Sequence, residues 1–155
     1  MSVLKTINES IEEWLLTLFL SIAVASISVQ IFMRFFLNSS LSWSEELARY
    51  CFIWLIYIAI AYGAKKARHI TFDTLYDSLP DKGKKIMDVV AQILFGLFAC
   101  LMVYYGLSVM QTILSYGQTS PALGINMALV YSAVPVGMFL TVIRLIQNLY
   151  NSIKY

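Results

Sequence analysis

Charge is missing from three long stretches of this chain, and that absence constrains its class before any motif is read. No Asp, Glu, Lys or Arg occurs from Trp14 to Met33, from Tyr50 to Ala64, or from Val89 to Ile143, which leaves uncharged runs of 20, 15 and 55 residues. A helix crossing the hydrocarbon core needs about 20 apolar residues, so the first two runs hold one span each and the third holds two. Hydrophobic residues make up 59% of the chain and charged residues 13%, far from the soluble average. The expectation is an all-α integral membrane protein, a single four-helix domain over residues 1-155 with spans at about 14-36, 44-64, 86-114 and 127-150. A soluble enzyme, a nucleic-acid binder and a disulfide-stapled secreted domain are excluded.

The segments between the runs carry local signals. Leu4, Ile7, Ile11, Trp14 and Leu15 recur at helical spacing, with Lys5, Asn8, Glu9, Glu12 and Glu13 between them, which predicts a short amphipathic lead-in helix at the membrane surface. The acidic residues, and Arg34 after the run, argue for a retained anchor rather than a cleaved signal peptide. Leu37 to Leu41 has turn composition. Ser42-Trp43-Ser44-Glu45 has the S-x-x-E form of a capping box, and Glu45 and Glu46 lie four and three residues before Arg49, spacing at which both can pair with it. Phe72, Leu75, Tyr76 and Leu79 predict a short interfacial helix stopped by Pro80. Ser115 to Asn126, rich in Gly, Ser and Pro, divides the longest run into the third and fourth spans.

Nine of the eleven basic residues fall on the N-tail, the 65–85 loop and the C-terminal end; only Arg34 and Arg49 fall on the other side. The positive-inside rule then sets both termini and the 65–85 loop in the cytoplasm and the Ser42 and Ser115 loops outside. No acidic residue, His or Lys lies near the middle of a span, where an ion-coupled carrier needs an ionisable group. Cys51 and Cys100 form no CxxC pair, and His69 is the only histidine, so thiol-redox chemistry, a metal site and a cofactor all lack support. The chain is not expected to be an enzyme. Small residues at packing spacing, Ser21 and Ala25, Ala59 and Gly63, Gly96 and Cys100, Ala133 and Gly137, imply close helix contacts. Pro135 should bend the fourth span by leaving the Tyr131 carbonyl without its helical donor. Trp43 reads as an interfacial anchor; Glu45, Glu46 and Arg49 read as a self-neutralised helix start or as a contact for a partner protein or lipid phosphate.

Trp43-Ser44-Glu45-Glu46-Leu47-Ala48-Arg49-Tyr50, then an aromatic second span, a basic cluster and His69-Ile70-Thr71-Phe72-Asp73, resemble the small membrane subunit of tripartite ATP-independent periplasmic (TRAP) transporters. Ser120-Pro121-Ala122-Leu123-Gly124-Ile125 before a Pro135-bearing last span is similar to that family as well. The resemblance implies an accessory subunit of a bacterial inner-membrane uptake system for small carboxylates or sialic acid. Its implied partners are a large membrane subunit, which carries the substrate and sodium sites and moves as an elevator, a periplasmic binding protein, and phospholipid. It would put Trp43, Glu45, Glu46 and Arg49 at the outer face and make His69 and Asp73 structural residues on the inner side, in a form not fused to the large subunit. The alternatives are a self-contained four-span homo-oligomeric channel or exporter, and a membrane enzyme built on Glu45, Glu46, Arg49 and Arg34.

Overall fold

The computed structural model describes residues 3–66 and 80–154. His69, Asp73 and the expected interfacial helix at 72–79 lie outside the described residues. The described helices are α1 (Val3–Phe36), α2 (Ser42–Lys65), α3 (Asp81–Ser115), the single turn α4 (Ala128–Tyr131) and α5 (Ala133–Lys154). Among the described residues four segments are long and apolar enough to cross a membrane, namely Ser10–Phe36, Ser42–Lys65, Ile86–Ser115 and Ala128–Tyr150. The lead-in is not a separate element, because α1 runs unbroken from Val3 through the first span.

The helices stand side by side in the order α1, α2, α5, α3, and the two outer helices have no comparable contact with each other. Burial follows that order. Within the most apolar window of each span, 11% of α1 and 11% of α3 is buried, against 33% of α2 and 44% of the α4–α5 span. A closed four-helix bundle gives every helix two neighbours; here only α2 and α5 have them. The domain is an open row with uncovered edges.

Small residues set the spacing inside the row. A Cβ added at Gly137 would stand 2.5 Å from Tyr57 Cβ and 2.8 Å from Tyr57 O, so α5 and α2 touch almost backbone to backbone. At Gly106 it would stand 3.1 Å from Pro135 Cδ, so the proline ring fills the space that α3 leaves. Ala61, Ala99 and Ala133 are fully buried. Of the expected small-residue pairs, only Ala133 and Gly137 line a tight contact. Ser21, Ala25 and Cys100 are exposed, nothing lies within 4 Å of a Cβ at Gly63, and the one at Gly96 meets Leu145 at an ordinary 3.9 Å. On the other flank, Phe19 stacks on Trp54 at 5.9 Å, beside Ala23, Ala48 and Cys51.

The connections match their composition. Asn38 takes φ +46° in the α1–α2 turn, a region that Asn enters more easily than most residues. Between α3 and α4 the chain makes a small hairpin closed by a Thr119–Asn126 bridge, with Ser120 N–H donating to Ile125 O at 2.8 Å and Met127 N–H to Gln118 O at 2.9 Å. Gly117 and Gly124 supply its left-handed turns at φ +61° and +67°. The last span is interrupted at Ser132, three residues before Pro135, which has no N–H for the Tyr131 carbonyl.

Gly137→Ala should therefore destabilise the protein by about 1–3 kcal/mol, the usual cost of overpacking, because relief requires backbone movement. Gly63→Ala should be neutral or slightly stabilising. Unfolding of both variants in mild detergent checks the pair, and equal stability would contradict the close approach.

Candidate functional site

The charged side chains of the described residues collect at the two ends of the row. At the end bearing the termini, Glu12 is buried to 1% exposure inside α1. It accepts from Arg144 Nε of α5 at 2.6 Å and from Lys65 Nζ of α2 at 2.9 Å, and the Arg144 Nη2 group closes on the same carboxylate oxygen as Nε. Arg144 also donates through Nη1 to Gln147 at 2.8 Å. One carboxylate thus joins three helices. Around it Tyr62 donates to Glu13 at 2.8 Å, Lys66 approaches Glu13 at 3.7 Å, and Asn148 donates to the Ala64 carbonyl at 2.6 Å. Sequence reading placed Glu12 on the outward face of a surface helix. The available signal was its register: Glu12, Phe19, Ala23 and Ser26 fall at i, i+7, i+11 and i+14, the face that packs on α2.

At the other end the expected capping box is absent. Leu41 precedes the helix with no side-chain cap, and the Ser44 hydroxyl donates to the Leu41 carbonyl at 2.7 Å instead. The two glutamates also part company. Glu45 is exposed and pairs with Arg49 at 3.1 Å while accepting from Gln30 of α1 at 3.4 Å. Glu46 is buried and turns to the hairpin, where its Oε2 accepts the Ala122 and Leu123 N–H groups, each at 2.9 Å. The Tyr50 hydroxyl donates to the other Glu46 oxygen, with Met127 Sδ 3.3 Å away. The expected Glu46–Arg49 pair does not form, because the Ala122 and Leu123 amides and the Tyr50 hydroxyl hold that carboxylate. Trp43 is exposed at the same end.

Below Arg49 a groove of about 580 Å³ runs between α2 and the start of the last span, lined chiefly by Ile53, Ile56, Tyr57, Val130 and Val134. Its mouth is polar, with Ser42, Glu45, Glu46 and Arg49 beside Pro121 and Ala122. Pro135 lies elsewhere, against α3. Among the described residues no three His, Cys, Asp or Glu side chains come together as a metal site.

The row of apolar spans with charge confined to its ends defines a multi-pass membrane protein. Residues 23–154 match the family model of the DctQ component of tripartite ATP-independent periplasmic transporters. The chain is similar to a putative TRAP transporter small permease protein of Haemophilus influenzae, 32% identical over 136 residues, 88% of this chain and 81% of that protein. It is similar to the ectoine TRAP transporter small permease protein TeaB of Halomonas elongata, 27% identical over 154 residues, covering 99% and 78%. It also matches the isethionate TRAP transporter permease protein DctMQ of Oleidesulfovibrio alaskensis, 32% identical over 112 residues, 72% of this chain but only 18% of that much longer protein. The chain belongs to the small permease, or DctQ, family of TRAP transporters.

Two outcomes follow from the end clusters. Glu12→Ala leaves Arg144 and Lys65 without their shared carboxylate, and breaking a buried pair in this way costs about 3–5 kcal/mol. Adding Arg144→Met should recover part of that loss, which a double-mutant cycle in detergent measures. Glu46→Ala should speed hydrogen exchange at the Ala122 and Leu123 amides and leave amides in the middle of α1 unchanged.

Proposed function

We propose that the chain is the non-catalytic small membrane subunit of a sodium-coupled TRAP uptake system, a fixed scaffold beside a large elevator-type subunit that carries substrate and ion sites. The observation that carries this reading is the uncharged middle of every described span, joined in an open row with uncovered edges. A chain built this way has surface to offer a partner and no ionisable group at the midplane to bind cargo. Relatives are named for isethionate, ectoine, sialic acid and C4-dicarboxylate. In this reading the cargo is a small carboxylate or sialic acid chosen by the other polypeptides.

The positive-inside count supports an arrangement with both termini cytoplasmic. Trp43, Glu45, Glu46 and Arg49 then stand at the periplasmic surface, where the groove mouth offers a contact to the large subunit, a docked periplasmic binding protein or a phospholipid. His69 and Asp73 act as structural residues on the inner side, and Pro135 bends the last span.

Purification of the tagged chain in mild detergent should bring down one larger polytopic membrane protein in fixed ratio. Elution alone, or only as a homo-oligomer, would overturn the reading in favour of a self-contained carrier, which transport by the purified chain in liposomes would then establish. Arg49→Ala or Glu46→Ala should lower substrate uptake in cells through weaker assembly or docking. Normal uptake with normal complex yield in both variants removes that role from the outer-end cluster.

A further inference from the structure

The two uncovered edges of the row are chemically unlike. On α1 the exposed hydroxyls satisfy themselves: Thr17 donates to Glu13 O at 2.8 Å, Ser21 to Thr17 O at 2.7 Å and Ser28 to Val24 O at 2.8 Å. The rest of that edge is apolar, including Leu18, Leu20, Val24, Ile27 and Ile31. Such a surface leaves lipid tails nothing polar to meet.

The α3 edge also carries exposed apolar residues, Leu97 and Leu101 among them, but adds polar groups to them. Tyr104, Ser108 and Gln111 are exposed and recur at i, i+4 and i+7, with Tyr105 beside them. This face lies opposite Ala99, Gly106 and Ile113, which α3 presents to the rest of the row. Among the described residues none of these four polar side chains has a hydrogen-bond partner, and the two phenol rings meet only each other, edge to face at 5.3 Å. Tyr104 is 70% and Tyr105 62% exposed.

Depth makes this matter. The third span runs Ile86–Ser115, so Tyr104 sits about 5 Å past its midpoint at 1.5 Å per residue. Helical side chains lean toward the helix N-terminus, which carries both hydroxyls back toward the middle of the bilayer rather than out to a headgroup. A tyrosine hydroxyl cannot reach its own helix's carbonyls as serine and threonine do. Hydrocarbon offers these groups no partner, whereas a facing helix with polar side chains does.

We infer that the α3 edge, through Tyr104, Tyr105, Ser108 and Gln111, is the face that docks the large membrane subunit, by hydrogen bonds to polar side chains on a helix of that subunit. This rests on the reading of the chain as the small subunit of a two-part permease. The α1 edge, with its hydroxyls already satisfied, is the lipid-facing side. A larger permease chain is the occupant rather than a second copy because in relatives such as DctMQ the matching stretch is part of a polypeptide several times its length.

The test places a benzophenone amino acid at position 104 or 108, and as a comparison at position 24 or 31, in the tagged chain co-expressed with the large subunit that it captures. Irradiation should give adducts between the two proteins from 104 and 108, at yields at least several-fold above those from 24 and 31. Tyr104→Phe with Tyr105→Phe should lower complex yield, while Ser21→Ala with Ser28→Ala should not. Adducts mainly from 24 and 31, adducts from 104 only to a second copy of this chain, or no protein adduct from 104 and 108 within an intact complex would overturn the inference and leave the small-subunit reading standing. Failure of the unmodified chain to capture any larger membrane protein would overturn both.

Discussion

A single buried carboxylate ties the outermost helix to the interior of this protein. Besides its packing and polar contacts on α2, α1 reaches α5 through Glu12, which lies among groups from both helices. A charge removed from water is costly unless its partners are close and well directed, and here two cations converge on it. The same contact sets the vertical register of three helices, because sliding any one by a single turn, about 5.4 Å, would strand the carboxylate. With that register set, Glu46 at the far end of α2 comes level with the hairpin it binds.

The row is open because the chain spends its small residues on one line of contacts. Gly137 and Ala133 let α5 approach α2, and Gly106 receives the Pro135 ring on the opposite side of α5. In a bilayer, association relies on close packing rather than on burial of apolar area. Large side chains such as Leu94, Leu97, Phe98 and Leu101 are therefore free to face outward along α3.

The spans and both turn regions were legible in sequence, since the charge gaps and the Gly, Asn and Pro clusters report backbone requirements that tertiary structure does not alter. Side-chain roles were less legible, and for a definite reason. Periodicity rules assume that apolar means buried, whereas here Ile11 and Trp14 face outward while Glu12 is enclosed. At this end of α1 the large apolar residues face outward and the polar one makes the contact. The Glu46 assignment missed for another reason: spacing to Arg49 allowed a pair, but the winning partners were backbone amides 76 and 77 residues away, which no local pattern encodes.

The hairpin clasp also bears on how the chain is divided. The α1–α2 pair and the α3–α5 unit meet along one helix–helix seam that is fastened at the terminal end by Glu12 to Arg144 and at the far end by Glu46 to Ala122 and Leu123. Each fastening takes its acid from the first half and its donors from the second. The peptide connection between residues 66 and 80 is thus one tether among several, Asn148 to the Ala64 carbonyl being another. Residues 3–66 and 80–154 therefore hold each other by directed side-chain contacts at both ends of the seam as well as through the continuous chain.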